Sequence, residues 1–392
     1  MSHTTFSLWD TYRALHPLLT LLQPARDADM VHSMLAHFDQ SVHPMLPVWS
    51  HHANENWCMI GYHAVSVIAD AVGKGLPGID PVRALAACTG TADVPYFDGA
   101  GEYARLGWVP DEASRSSVSV TLEFAYDDWC IAQLARLAGD DAAAARFGAR
   151  AGAFANLYDP ATGFMRPRGR DGAWRVGFDP LATEGQGYIE GNAWNYSLYA
   201  PQDVPALVGL MGGPAAFGAH LDALFAMELG EEHIAHTEDI TRDGIIGGYV
   251  HGNEPGHHIP YLYQWSDRPW RTQERVRTIL ETMYGTGPSG LCGNDDAGQM
   301  SAWYVLSALG FYPVCPGSGE YILGSPLVRR AEVALENGRT LVVEARDQSP
   351  RNIYVQRVEL DGRPVTGHSI RHADLAAGGH LVFVMGPRPA AP

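Results

Sequence analysis

A mostly α-helical body of paired helices arranged as a toroid, followed by a small antiparallel β unit, is the fold that the sequence predicts. Three observations carry this expectation. Apolar residues recur at helical spacing from the N-terminus to about residue 310. Long loops rich in glycine and aromatic residues separate these stretches, and strand-like runs replace them after about residue 318.

The helical stretches come in order. Leu15, Leu18, Leu19 and Leu22 share one face, as do Ile60, Ala64, Val67, Ile68 and Ala71. Cys130, Leu134 and Leu137 follow, then Phe147, Ala151, Phe154 and Tyr158. Phe217, Leu221 and Leu224 form the next stripe, before Val276, Ile279, Leu280 and Met283, and finally Met300, Tyr304 and Ala308. The loops 90–103, 159–194 and 240–260 lie between them, and ordered loops of such length in a compact domain usually carry function. The runs 320–324, 339–345, 353–360 and 380–386 are rich in β-branched and aromatic residues, with Asn337-Gly338 and Asp361-Gly362 as hairpin signals. The change of pattern divides the chain into 1–317 and 318–392.

Composition narrows the class. The chain has 392 residues, 46% hydrophobic and 18% charged, as expected of a packed globular protein with room for a large and a small domain. Its formal charge of −17 argues against a nucleic-acid partner and suits a cation site or an acidic surface. Ten Trp and 17 Tyr supply core, and also flat platforms on which sugar rings stack. The five Cys are odd in number and lack a CxxC pair, so neither a disulfide framework nor a cysteine zinc site is expected, and Cys130 reads as a small buried residue. No run reaches the roughly 18 apolar residues of a membrane span. The opening MSHTTFSLWDTYRALH lacks a signal-peptide pattern. No membrane partner is expected, and the cellular location is left open.

Chemistry-bearing residues gather in a few motifs. Asn294, Asp295 and Asp296 precede an apolar helix that begins near Gly298. Asp295 or Asp296 is a candidate N-cap of that helix, with catalysis as the alternative; capping accounts for one carboxylate and leaves the other unexplained. Glu190 stands beside Trp194 and Tyr196, surroundings suited to a general acid, or else is a first-turn residue favouring the helix dipole. Two carboxyl groups across a scissile bond are what glycosidases use. A gap of roughly 6.5–9.5 Å admits a water and inverts the anomeric centre, whereas about 5–5.5 Å implies a covalent intermediate. In 251–265, His251, His257, His258 and Glu254 form no HExxH frame, which disfavours zinc. Asn253, Glu254 and His257 beside Tyr261 and Trp265 suit sugar hydroxyls instead, or a polar loop satisfied by its own backbone. Trp9-Asp10 pairs an indole with a carboxylate, as sugar O4 and O6 are often gripped, or is an exposed helix start. Asn54, Glu55, Trp57 and His63 surround a turn. Asp127-Asp128-Trp129 reads as a helix cap.

Together these residues resemble glycoside hydrolase family 92, the calcium-dependent exo-α-mannosidases. The likeness runs through 5–24, 58–65, 124–135, 163–168, 190–197, 250–263, 268–277 and, most specifically, 293–326. The resemblance implies an (α/α)6 catalytic toroid, preceded in the family by a β-sandwich, and hydrolysis of terminal α-mannose with inversion. By the same likeness Glu190 is the general acid and Asp296 the base, flanked by Asn294 where some members carry Asp. Asp10 and the Asn253-Glu254 pair are the implied substrate contacts, to which the reading of the motifs themselves adds Trp9, His257 and Trp57. A calcium ion gripping O2 and O3 is implied, with Asn294 and Asp295 among its ligands. The implied substrate is a mannose-containing oligosaccharide or N-glycan, with α-1,2 linkage first in line, although α-1,2-specific members often have His-Glu where this chain has Asn253-Glu254. Gln202 replaces a usual His, and residues 50–52 and Trp57 also depart from the family. The chain opens within the catalytic portion, so a separate β-sandwich half is an expected partner. The rival readings are a mannose-1-phosphate diester hydrolase and a non-catalytic sugar-binding fragment.

Overall fold

The computed structural model describes residues 1–51, 54–234 and 241–390. Its helices are α1 (Leu8–Thr11), α2 (Leu15–Leu22), α3 (Pro24–Gln40), α4 (Ala64–Gly73), α5 (Pro81–Ala92), α6 (Ala100–Leu106), α7 (Ser117–Ala138), α8 (Asp141–Arg150), α9 (Ala193–Tyr196), α10 (Val204–Leu210), α11 (Pro214–Ala226), α12 (Trp270–Thr282), α13 (Gln299–Leu309) and α14 (His372–Ala376). They form the expected α/α toroid, with the β unit at its C-terminal side.

The longest helix, α7, explains the centre of the body. Its residues from Ser117 to Asp128 are all buried, and its apolar side chains point in every direction rather than to one stripe. Such a helix belongs inside, and α4, α5 and α8 pack around it. Gly139 ends it in the left-handed conformation (φ +77°) that an unbranched C′ residue adopts without a Cβ clash. Local signals start its neighbours: the Asp80 carboxylate accepts from Val82 N at 3.0 Å, with Pro81 at the first helical position of α5.

The strands are β1 (Ser50–His51), β2 (Asn54–Glu55), β3 (Tyr158–Asp159), β4 (Phe164–Met165), β5 (Ile245–Ile246), β6 (Tyr249–Val250), β7 (Phe311–Tyr312), β8 (Glu320–Leu323), β9 (Arg330–Ala334), β10 (Thr340–Arg346), β11 (Tyr354–Leu360), β12 (Arg363–Pro364), β13 (Ser369–Arg371) and β14 (Gly379–Gly386). The first six make two-stranded hairpins within the loops. The C-terminal unit has one sheet in the order β13-β8-β7 and another in the order β12-β11-β14-β10-β9. Strands from both sides of residue 317 therefore share a sheet. All pairs are antiparallel except β10 with β14, which run parallel from Leu341↔Gly379 to Arg346↔Val384. The unit docks through specific bonds: Val355 N donates to the Gln273 side chain (2.9 Å), Tyr354 OH to Glu274 (2.6 Å), and Arg277 to Pro326 O (3.2 Å). At Gly310 (φ +100°) a Cβ would stand 2.9 Å from the Phe383 ring, so the helix-to-sheet turn admits no side chain.

Some expectations need correction. Asp127 and Asp128 lie in the interior of α7 and cap nothing; their carboxylates bond to His63 and Arg150. Leu137 is 53% exposed, because α7 leaves the core before its last turn. The stripe from Phe147 to Tyr158 is broken at Arg150, after which Ala153–Leu157 is a 3-10 turn. Glu190 precedes α9, whose cap is Asn192, so it is not a first-turn residue.

Candidate active site

The site is assembled from four loops, each held from behind. The first is α1, four buried residues. Its Trp9 indole N–H donates to both oxygens of Glu123 on α7 at 3.1 Å, and the Ser7 hydroxyl donates to Asp10 Oδ2 at 2.5 Å. Arg13 Nε donates to Trp9 O at 3.0 Å, and its guanidinium lies over the rings of Trp9 and Tyr12. These contacts fix where the Asp10 carboxylate points.

The second and third loops carry Asn253-Glu254 and Asp296. They meet where neither backbone could carry a side chain. A Cβ on Gly293 would fall 2.1 Å from Gly252 O, and one on Gly244 would fall 2.9 Å from Cys292 O. Glycine at these positions is thus a steric requirement of the approach. The result is that one oxygen each of Asp10, Glu254 and Asp296 lies within 4.8 Å of the others. Asp10 and Glu254 are buried, Asp296 half-buried. Both Glu254 carboxylate oxygens lack a hydrogen-bond partner among the described residues.

The electrostatics follow from this crowding. Burial, then the charges of Asp296 and Glu190, push Asp10 up to about 8, against the Ser7 bond and Arg13. Burial, then Asp10 and Asp296, hold Glu254 well above the usual carboxylate range. Three converging carboxylates with an unbonded buried member are costly unless a cation joins them, and hard oxygen donors suit calcium. The residues present therefore fit a calcium ion, and the carboxylates that converge are those of Asp10, Glu254 and Asp296. Asp295 stands outside the trio and is exposed; its Oδ1 accepts from Ser301 N (2.9 Å) and Ser301 Oγ (2.8 Å), which ties it to the first turn of α13, whose N-cap position is Gly298 rather than either aspartate. Asn294 is exposed beside it.

Glu190 enters on the fourth loop. Asn253 Nδ2 donates to its Oε2 (3.1 Å) and to its main-chain oxygen (3.2 Å), so the residue after Gly252 grips the candidate acid. Backbone strain concentrates here. Of eight non-glycine residues with positive φ among those described, Glu190, Asp296 and Ala297 belong to the loops of this site, and Trp57 and Met59 to a separate turn. Such conformations cost about 1–3 kcal/mol each and persist where the surroundings dictate them.

Other expected contacts lie elsewhere. Trp9 is buried with its N–H engaged by Glu123, behind the carboxylates. His257 is buried too; its Nε2 donates to His251 O (3.1 Å) while Gln299 Nε2 donates to its Nδ1 (3.1 Å), and burial followed by Arg13 lowers it to about 3. It is a neutral wall that ties α13 to the Glu254 loop. Glu55 faces no open space: its carboxylate accepts from Val48, Trp49, Asn56 and Trp57 backbone N–H groups at 2.7–3.0 Å. Trp57, held by that staple, is 39% exposed. Sequence reasoning missed Glu123, a carboxylate inside an apolar helix, and that oddity was the available signal.

Comparison with known proteins gives the family. The family description "Glycosyl hydrolase family 92 catalytic domain" matches residues 1–387. Among solved structures, the family GH92 α-mannosidase BT3965 of Bacteroides thetaiotaomicron is 44% identical with a TM-score of 0.93, covering 99% of this chain and 50% of that one. Its complex with mannoimidazole superposes with a TM-score of 0.94 at 43% identity, covering 99% of this chain and 51% of that chain. The inverting mannosidase BT2199 of the same organism is 34% identical with a TM-score of 0.88, covering 98% and 53%. An uncharacterized secreted glycosidase of Arthroderma benhamiae is 26% identical over 367 residues, which is 83% of this chain and 45% of that protein. The chain thus spans about half the length of these relatives. With the matched description running from residue 1 to 387 and the site loops in the expected order, the chain belongs to glycosyl hydrolase family 92 and comprises its catalytic domain.

Proposed function

We propose that this chain hydrolyses terminal α-mannose from mannose-containing glycans, as an exo-acting, calcium-assisted and inverting glycosidase. The observation that carries the reading is the convergence of Asp10, Glu254 and Asp296 within 4.8 Å, with Glu190 held by the neighbouring Asn253. The α-mannosidase neighbours support the substrate class, and the inverting neighbour supports the stereochemistry.

Each residue then has a role. Asp296, half-buried on a strained turn, takes a proton from the attacking water as general base. Glu190 protonates the departing oxygen, with Asn253 fixing the orientation of its carboxyl group. Asp10, clamped by Ser7, accepts from hydroxyls of the terminal sugar. Asp10, Glu254 and Asp296 would hold the calcium, which when bound supplies a Lewis-acid grip on vicinal hydroxyls. Trp9 and His257 back the site rather than touch sugar. Glu190, a proton donor, favours glycosidic cleavage over hydrolysis of a mannose-1-phosphate diester, whose leaving group needs no acid.

The test is mannose release from α-1,2-, α-1,3-, α-1,4- and α-1,6-mannobiose, with calcium and with EDTA, the first-formed anomer being read by NMR. We expect calcium-dependent release of β-mannose, fastest on the α-1,2 dimer. Release of α-mannose, or equal rates in EDTA, overturns the inverting or the calcium part. No release by the folded chain favours a catalytic half that needs a separate β-sandwich partner.

A further inference from the structure

A cleft of about 630 Å³ opens next to Glu190, lined among others by Trp57, Tyr96, Phe97, His43, Asp98 and Ser116. We propose that this cleft seats the leaving-side sugars of an extended manno-oligosaccharide, with Trp57 and Tyr96 as stacking platforms; the assignment rests on the glycosidase reading above.

Continuity with the acid is the first argument. Ile189, the residue before Glu190, lines the cleft, as do Trp57 and Met59, which flank Cys58. The Cys58 thiol is pushed up by burial, then by the charges of Glu190 and Asp10. The Trp57–Met59 turn therefore stands between the cleft and the carboxylates, where the bond to the leaving sugar would emerge.

The lining chemistry is the second. Tyr96 is 61% and Trp57 39% exposed, and the two stand on either side of His43 in one cleft rather than scattered singly. The His43 ring packs edge-on to Trp57 at 5.4 Å, and its Nδ1 is 3.0 Å from Tyr96 OH. A pyranose offers an apolar C–H face with hydroxyls at its rim. Aromatic faces bordered by the Asp98 carboxylate and the Ser114 and Ser116 hydroxyls match both features. The volume lies within the roughly 300–1,000 Å³ of ordinary ligand clefts.

Rigidity is the third. Glu55 staples the backbone on both sides of Trp57, and positive φ at Trp57 (+61°), Met59 (+64°) and Asp98 (+39°) places strain on two walls of the cleft. Platforms fixed before binding lose little freedom on contact.

Calorimetric titration of the full chain carrying Asp296→Asn, which does not consume its ligand, tests this with mannose, mannotriose and mannotetraose. Affinity should rise with length. Adding Tyr96→Ala should weaken tetraose binding about tenfold more than mannose binding, as loss of one aromatic contact does, and Tyr96→Phe should restore most of it. Tyr96 is exposed, so folding is not at stake, and circular dichroism checks it. No gain with length, or equal weakening of mannose and tetraose, overturns the cleft. Turnover of α-mannosyl fluoride by the unmutated chain is read separately. Turnover without length-dependent binding retains the glycosidase and removes the cleft. Tyr96-dependent tetraose binding without turnover retains the cleft as a saccharide site and removes the glycosidase.

Discussion

Asp296 occupies a backbone conformation (φ +44°) that most side chains avoid, followed by Ala297 at +58°. The turn is overdetermined by the Gly252–Gly293 approach on one side and by the bond from Ser301 N to Asp295 on the other. Replacing Asp296 with Asn keeps shape and removes the base. We expect at least about 10²–10⁴-fold lower kcat with melting unchanged or raised, since one charge leaves a crowded trio; unimpaired turnover would sink the assignment. Glu190→Gln should lose far more on mannobiose than on α-mannosyl fluoride, whose leaving group needs no proton. Asn253→Ala should show the same leaving-group bias in weaker form, because it loosens the acid without removing it. Equal losses on both substrates would place Asn253 in mannose binding instead.

α1 is too short to hold itself, since four residues make barely one turn. What holds it is α7. Glu123, fully buried, accepts from Trp9 and Tyr196 (3.2 Å) and pairs with His63 (3.0 Å), while Arg13 stands 3.8 Å away. His63 is bonded on its other nitrogen to Asp127 (2.8 Å) and stacks on Tyr12 at 4.2 Å. Glu123→Ala should therefore cost about 3–5 kcal/mol by leaving buried donors and cations uncompensated, measured by denaturant unfolding; less than 1 kcal/mol would show that the clamp is dispensable. The same network gives a pH signature. Burial lowers the His63 pKa, but Asp127 and Glu123 outweigh it and raise the group to about 9 from an ordinary 6.5. Stability from the His63 charge is thus fully present below pH 6.5 and lost as pH rises through about 9. His63→Gln should flatten that alkaline loss; an unchanged melting profile between pH 6.5 and 9.5 in both proteins would contradict it.

For the whole molecule, loops from distant parts of the chain converge on one charge cluster, so a cation bound there should stabilise the entire fold. Calcium at about 100 times its Kd should add about 2.7 kcal/mol, seen as a higher Tm that EDTA reverses. The shift should vanish in Glu254→Gln, and its persistence there would move the metal elsewhere. Apolar spacing alone located α2, α4, α11, α12 and α13 and four of the C-terminal strands, but not always the buried face: in α2 Leu15, Leu19 and Leu22 are only half-buried while His16, Pro17 and Leu21 are buried, and α4 is buried from Ala64 to Ala71. It gave no sign of β9, whose residues alternate between exposed and half-buried, or of the parallel β10–β14 pairing, which depends on a crossover. The motifs around Glu190, Asn253-Glu254 and Asp296 were readable by residue type and resemblance. What local order could not say was which carboxylates meet. Asp10, Glu254 and Asp296 are brought together by glycine-only backbone contacts and by a clamp on Glu123, interactions between residues far apart in the chain. Residue order was enough for the helical body, the β unit and the cast of chemical groups. That Asp295 turns to Ser301 while Glu254 joins the cluster follows from packing alone, because burial and convergence are properties of packed chains, not of neighbouring letters.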